Sequence, residues 1–356
     1  MQRQVFHIIG IMSGTSLDGV DLALCRFTQK EQTWHYEIIQ AETYSYSDVW
    51  VKRLQNLAIS DAFGFASTHI AYGHLLGDMV KQFIQTHQLH ADYVASHGHT
   101  IFHQPENQIT VQIGDGASIA ATCGIPTICD FRSLDVALSG QGAPLVPIGD
   151  KLLFSEYDAC LNLGGFGNIS FDFGNQRLAF DTSPVNILLN HFALQKGVAF
   201  DKNGLIARKG QVNNDVLSAL NKLEYYKKTP PKSLGKEWID RIILPLLKTY
   251  PDTTENILRT LVEHITYQIG TIINNHQLKN VLLSGGGAKN VFLVERLSSY
   301  VSSTLLTLPD EKIIDYKEAL IFAFLGLLRI HHQNNCLQSV TGATKDNCGG
   351  CIYYIN

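Results

Sequence analysis

Three short stretches hold the residue types that phosphate chemistry needs. The first is Gly10-Ile11-Met12-Ser13-Gly14-Thr15-Ser16-Leu17-Asp18-Gly19-Val20-Asp21. Its glycines and hydroxyls offer N–H and O–H donors that suit phosphate oxygens. Asp18 and Asp21 add acceptors for the hydration shell of magnesium or for a sugar hydroxyl. The second is Gly164-Gly165-Phe166-Gly167-Asn168-Ile169-Ser170, with similar donors. The third, Ser284-Gly285-Gly286-Gly287-Ala288-Lys289-Asn290, follows an apolar run and precedes a helical pattern. There the missing side chains let a flat ring or a phosphate reach the backbone. None of the three matches G-x-x-x-x-G-K-[ST] or G-x-G-x-x-G. A single glycine turn in a hairpin is usually only a turn, but three, each leaving a strand, point to a nucleotide.

The elements that must position these loops are legible from periodicity. Residues 5–12 read as an apolar strand, 20–27 as a second and 34–40 as a third, with a tight polar turn after the first. Residues 48–89 carry apolar positions at helical spacing. Short buried strands follow at 93–96, 109–113 and 125–129, running into Ser96-His97-Gly98-His99, Gly114-Asp115-Gly116 and Asp130-Phe131-Arg132. The second half begins with the same grammar: strand 159–163, glycine turn, strands 169–173 and 177–180. Residues 210–250 read as helical with a Pro230-Pro231 break, 257–273 as an amphipathic helix, 281–283 as a buried strand and 315–331 as a strongly apolar helix. Each half thus opens strand, glycine turn, strand, strand, a weak internal repeat. The fold class is α/β with two domains, 1–148 and 149–356, and the C-terminal tail is free to return to the first.

Composition narrows the partners. The chain has 356 residues, 45% hydrophobic and 17% charged, with 28 Lys+Arg against 32 Asp+Glu. Disorder would need the opposite balance, nucleic-acid binding a basic excess, and a membrane span an unbroken apolar run of about 20 residues. No small-residue cleavage pattern follows the N-terminal apolar run, so a cytoplasmic location is expected. Seven scattered cysteines fit a reducing compartment. Cys348-Gly349-Gly350-Cys351 has the C-x-x-C form of half a zinc site or a redox pair. Cys336, His331 and His332 are its only nearby companions, so inert thiols are the expected reading. His97, His99 and His103 mimic metal spacing without a committed carboxylate, and no metal held by the protein itself is expected.

The motifs also resemble, in order and over nearly the whole chain, those of the anhydro-N-acetylmuramic acid kinase family. The resemblance runs from residues 10–21 through Ser96-His97-Gly98, Gln112-Ile113-Gly114-Asp115-Gly116, Asp130-Phe131-Arg132 and Gly140-Gln141-Gly142-Ala143-Pro144-Leu145-Val146-Pro147. It continues at Asn162-Leu163-Gly164-Gly165, Phe180-Asp181-Thr182, Ser284-Gly285-Gly286-Gly287-Ala288, Glu318-Ala319 and Ser339-Val340-Thr341-Gly342-Ala343. It implies an actin-like ATPase (sugar kinase, ribonuclease H-like) fold with a nucleotide cleft. The implied activity is ATP-dependent opening of the 1,6-anhydro ring and phosphorylation of the sugar, in cell-wall recycling. ATP and Mg²⁺ are the implied cofactors and a homodimer the implied assembly. Another amino-sugar kinase and a non-catalytic ATP-binding regulator are the competing readings.

The resemblance places ATP-phosphate contacts at Gly14, Thr15, Ser16, Leu17, Asp18, Gly19, Val20 and Asp21. The two later loops put Gly164, Gly165, Gly285, Gly286 and Gly287 on the nucleotide. It also makes Asp181 the catalytic base, expected just after its strand. Glu318, a polar group on the last apolar helix, reads either as a second carboxylate near the attacking water or as a solvated helix-face glutamate. Arg132 fits either the lactyl carboxylate of the sugar or an ion pair with Asp130 or Asp135. Asp115 suits sugar hydroxyls, and His97 the sugar site or the fixing of a loop. The chain departs from the family at Ser183 and Val185, where Asp-Thr-Gly-Pro-Gly-Asn is usual, at His99 for a glutamine, and at Ser139 for a glycine.

Overall fold

The computed structural model describes residues 5–14, 17–31 and 33–355. The chain divides into two compact units. One is built from the chain up to Phe154 and again from Tyr316 onward, the other from Ser155–Asp315.

The first unit is a seven-stranded mixed sheet. Strands β1 (Val5–Ser13), β2 (Val20–Lys30) and β3 (Thr33–Tyr44) form an antiparallel meander. Strand β4 (Tyr93–Gln104) lies parallel to β1 on its other side, and β6 (Thr127–Cys129) parallel to β4. Strand β5 (Ile109–Ile113) pairs back on β4, and β12 (Cys351–Tyr353) closes the far edge against β6. The order is β12-β6-β4-β1-β2-β3. Ile8 faces opposite to Ile9 and Ile11, yet all three are buried, because helices cover both sides of β1.

The second unit repeats the plan. Strands β7 (Ala159–Leu163), β8 (Phe166–Phe173) and β9 (Gln176–Pro184) form the meander, and β10 (Asn280–Ser284) and β11 (Leu305–Thr307) add in parallel beside β7. The weak sequence repeat is therefore an architectural one. In each unit a glycine turn joins the first two strands of the meander, and the third glycine stretch leads from β10 into the helix Val291–Tyr300.

Several elements differ from their sequence signal. The helical stretch 48–89 is broken near Ser60 into Asp48–Asn56 and helix α1 (Ala62–His87), which Asp61 caps. Strands β4 and β9 run past their apolar cores to Gln104 and Pro184. Ladder pairing is a backbone property, so His99 still pairs with Ile113 and Asp181 with Asn168. Asp181 consequently lies inside its strand. Residues 210–250 hold only short helical pieces. No helix among the described residues is long and apolar enough to cross a membrane.

Helices α2 (Gly116–Cys123) and α3 (Val146–Leu153) belong to the first unit, and α4 (Asn186–Ala193), α5 (Thr254–Asn275) and α6 (Val291–Tyr300) to the second. Helix α7 (Glu311–Ile330) leaves helical geometry at Tyr316, and residues 316–330 pack in the first unit. Glycines let this segment press onto the sheet. A Cβ on Gly10 would sit 1.9 Å from the Ala319 carbonyl oxygen, and one on Gly326 2.7 Å from the Ala95 Cβ. A buried ion pair, Lys317 Nζ to Asp150 Oδ1 at 2.7 Å, ties the segment to α3. Gly10→Ala should therefore destabilise the protein by about 2 kcal/mol or more, because a backbone carbonyl cannot step aside as a side chain can. Chemical denaturation reads this as a lower midpoint with an unchanged slope.

Candidate active site

The parallel strands β1, β4 and β6 end on one side of the first sheet, where open α/β sheets bind ligands. Their ends carry Ser13, His97, His99 and Arg132. Arg132 points its Nε and Nη2 at His97 Nε2, at 3.0 and 2.8 Å, and its Nη1 at the Gly142 carbonyl, at 2.6 Å. His97 Nδ1 donates to the Gly98 carbonyl at 2.9 Å. The ring is thus a neutral Nδ1–H tautomer whose Nε2 lone pair accepts from the guanidinium. Burial first, and then the Arg132 charge, hold the His97 pKa well below its ordinary value. Burial brings Arg132 down to about 10, which leaves it charged at neutral pH. His97 therefore fixes an arginine, and neither Asp130 nor Asp135 takes the guanidinium fork. Asp130 instead accepts from the backbone N–H and hydroxyl of Ser133, at the start of the short helix Ser133–Ala137.

Asp135 acts one bond further back. It is wholly buried, and its carboxylate accepts from Gly142 N (2.8 Å), Thr341 Oγ1 (2.9 Å), Asn347 Nδ2 (2.8 Å) and Cys336 Sγ (3.0 Å). Three of those donors come from the C-terminal tail. Gly142 in turn holds Arg132, so a tail far along the chain sets the loop that aims the arginine. The sequence offered Asp135 as an ion-pair partner for Arg132, but its carboxylate is taken by these four donors. Ser139 has φ +66°, a backbone conformation that glycine adopts most readily.

Glu318 sits on α7, one residue before the Ala319 contact with β1, and is half-buried. Burial raises its pKa; Arg132 opposes the shift and Asp21 reinforces it, so the three charges share one neighbourhood. Asp21, on β2, accepts from Thr43 Oγ1 at 2.6 Å. In the turn before it, Leu17 has φ +62° and Gly19 +154°, and a Cβ on Gly19 would meet the Tyr44 carbonyl at 2.7 Å. Gly14 accepts from Leu17 N, Asp18 is exposed and Val20 is buried. Thr15 and Ser16 lie outside the described residues. Under the turn, Ser13 Oγ bonds Tyr46 Oη (2.6 Å), Tyr72 Oη (3.0 Å) and His99 Nδ1 (2.8 Å). Burial lowers His99 to about 4, so it meets Ser13 as a neutral ring at neutral pH.

A pocket of about 340 Å³ opens in the same unit, lined by His97, Gln112, Asp115, Asp130, Cys351 and Tyr353 among others. Asp115 spends one oxygen capping α2, accepting from Ser118 N at 2.8 Å and from Ser118 Oγ. Its other oxygen lies 3.9 Å from His69 Nε2. Burial pushes the Asp115 pKa up, but the Ser118 bonds outweigh it and hold the carboxyl below its usual range. His103 is exposed and bonds Thr110, so the three histidines of the 97–103 run go to three different partners.

In the second unit Asp181 Oδ2 accepts from Leu234 N at 2.8 Å, and Tyr225 Oη donates to the Asp181 carbonyl at 2.7 Å. Burial raises the Asp181 pKa to about 6, against the pull of the Leu234 bond. The segment that supplies Leu234 also sets Lys232 Nζ 4.9 Å from the Tyr225 ring centroid; sequence reading passed over it as a proline break. Ser183 and Val185 are fully buried, and Val185 joins the core with φ −121°. Both positions carry buried side chains here, and Val185 adds its own to the hydrophobic core.

The glycine turns divide their labour. A Cβ on Gly285 would meet Asn162 Oδ1 at 2.2 Å, and one on Gly287 the Leu163 Cβ at 2.8 Å, so both are needed for the close approach to β7. Gly164, Gly165 and Gly286 have nothing within 3.4 Å of a would-be Cβ and leave their backbone open. The carbonyls of Gly164 and Gly165 accept from Asn186, Val185 and Ile187 at the start of α4.

Two mixed sheets of the same order, each opening on a glycine turn, define an α/β chain built twice on one plan, with a carboxylate of raised pKa in each half. A family model for anhydro-N-acetylmuramic acid kinase matches residues 6–355. A protein of that name from Vibrio cholerae is 36% identical over 99% of both chains, and one from Sulfurovum sp. is 34% identical over 97% of this chain and 98% of its own. The chain belongs to the anhydro-N-acetylmuramic acid kinase family. Among solved structures, the activator of 2-hydroxyisocaproyl-CoA dehydratase from Clostridium difficile aligns over 91% of this chain and 97% of its own, at 13% identity and a TM-score of 0.44.

The Asp135 cluster yields a stability test. Asp135→Ala strands several buried donors, each worth about 1–3 kcal/mol when left unpaired. Thermal unfolding should shift down by several degrees, and Asp135→Asn should recover part of the loss.

Proposed function

We propose that the chain hydrolytically opens 1,6-anhydro-N-acetylmuramic acid and phosphorylates its O6 with ATP. The products would be N-acetylmuramic acid 6-phosphate and ADP, in peptidoglycan recycling. Family membership makes it a phosphotransferase with an alcohol group as acceptor. The observation that carries the mechanism is Asp181, a carboxylate lifted to about 6 and steadied by a single backbone donor. A base needs a pKa close to the working pH and one lobe free for the proton. Asp181 takes a proton from water as the water oxygen bonds the anomeric carbon. The C1–O6 bond breaks, and O6 bonds the γ-phosphorus as the bond to the β-phosphate oxygen breaks. Glu318 is the second carboxylate near the reacting sugar.

Arg132, aimed by His97 and Gly142, is assigned to the lactyl carboxylate, and Asp115 and His97 to the sugar. Open backbone at Gly164, Gly165 and Gly286, together with the turn 14–21, is assigned to the ATP phosphates; Gly285 and Gly287 shape the loop that presents it. Magnesium asks for few protein ligands beyond phosphates and water, and Asp21 and Asp18 suit its hydration shell. When bound it would neutralise phosphate charge.

Two measurements test this. With Mg-ATP in ¹⁸O-water, label should enter the sugar as ADP forms; ADP formed without label would exclude water attack on the ring, and no turnover would favour a regulator.

The second measurement concerns Asp181. kcat/KM should fall as pH drops through about 6, and Asp181→Asn should lose about 10²- to 10⁴-fold in kcat. The folded pKa is raised, so the folded state holds the extra proton, and stability from this group falls as pH rises from about 4 to about 6. Asp181→Asn should therefore be at least as stable as wild type at pH 7.5.

A further inference from the structure

The C-x-x-C of the tail is split by its strand. Cys348 lies near Arg329, whose Nε holds the Gly350 carbonyl at 2.7 Å. Cys351 begins β12, and its register partner on β6 is Cys129. Directly opposed residues of an antiparallel pair have Cα atoms about 4.5–5.5 Å apart and side chains on one face. Disulfides span Cα separations of about 4.4–6.8 Å. Both thiols are free, and both line the pocket that holds His97 and Asp115. Cys351 is exposed and Cys129 half-buried. Burial, with the facing Cys351 adding to it, pushes the Cys129 thiol up to about 12. Around them the packing is tight: a Cβ on Gly116 would meet the Cys129 sulfur at 2.5 Å and the Tyr353 ring at 2.9 Å.

We propose that Cys129 and Cys351 form a cross-strand dithiol that a low-molecular-weight disulfide oxidises to a β6–β12 disulfide, altering the wall of the pocket and its sugar binding. The second half rests on the reading of this pocket as the sugar site. In the first step the Cys351 thiolate attacks the small disulfide, bonding one sulfur and releasing the other as thiolate. In the second, Cys129 loses its proton and attacks the Cys351 sulfur, expelling the remaining small thiolate. Two protein thiols are thus oxidised by two electrons, and one small disulfide is reduced to two thiols. The accessible, less buried sulfur attacks first, and the shielded one resolves.

The test incubates the intact protein with glutathione disulfide, alkylates it under denaturing conditions and maps the peptides. The expected result is loss of two free thiols, a Cys129–Cys351 linked peptide, and reversal by dithiothreitol. A Cys348–Cys351 link, or glutathione persisting on Cys351, would overturn the pairing. Cys351→Ser should abolish the link while the protein keeps its cooperative unfolding. The oxidised wild type should show a sugar KM raised at least threefold against its own reduced form, with the ATP KM unchanged. A mapped link without that rise keeps the disulfide and overturns its connection to sugar binding. If the ¹⁸O experiment shows no turnover at all, the peptide map still decides the pairing.

Discussion

The first unit depends on one contact, the seating of α7 on β1 at Gly10. With no Cβ there, the Ala319 carbonyl rests directly on the strand, and the residue before it, Glu318, comes into the field of Arg132 and Asp21. The same helix segment carries the chain back to the first unit. The tail that follows can then deliver Thr341, Asn347 and Cys336 to Asp135. One missing methyl thereby conditions both the second carboxylate and the loop that aims the arginine. A wider residue at position 10 would push the helix off the sheet and loosen every bond downstream of it.

The low charge of the chain has a physical counterpart in how its ionisable groups are used. Arg132 is met by a neutral imidazole and a carbonyl, which orient it without cancelling its charge, so the guanidinium keeps its attraction for an anion. Asp181 has one backbone donor and no ion-pair partner among the described residues, and desolvation lifts it to about 6. Open glycine backbone offers donors to phosphate at no cost in charge. Desolvation strengthens each of these interactions, which suits a chain poor in basic residues to anionic ligands.

Much of this was legible beforehand. The meanders, the glycine turns and the buried strands at 93, 159 and 281 show in apolar runs, because burial selects side chains locally. The motif string identified the family, and it put Asp181 and Arg132 forward as site residues. Strand ends were harder: His97, His99 and Asp181 look like loop residues, yet their backbones stay in the ladder, and polarity says nothing of backbone pairing. The roles of Asp135 and of the 228–235 segment were invisible because their partners lie far away in sequence.

The sequence by itself determined the α/β class, the doubled strand pattern, the family and the candidate chemical groups, since each is written in local residue type and order. Only the tertiary structure decided that His97 holds Arg132, that Asp135 works through Gly142, that Ser183 and Val185 are buried, and that Cys351 pairs in register with Cys129. Those outcomes turn on distances between residues tens to hundreds of positions apart, and on which groups lose their water when the chain closes on itself.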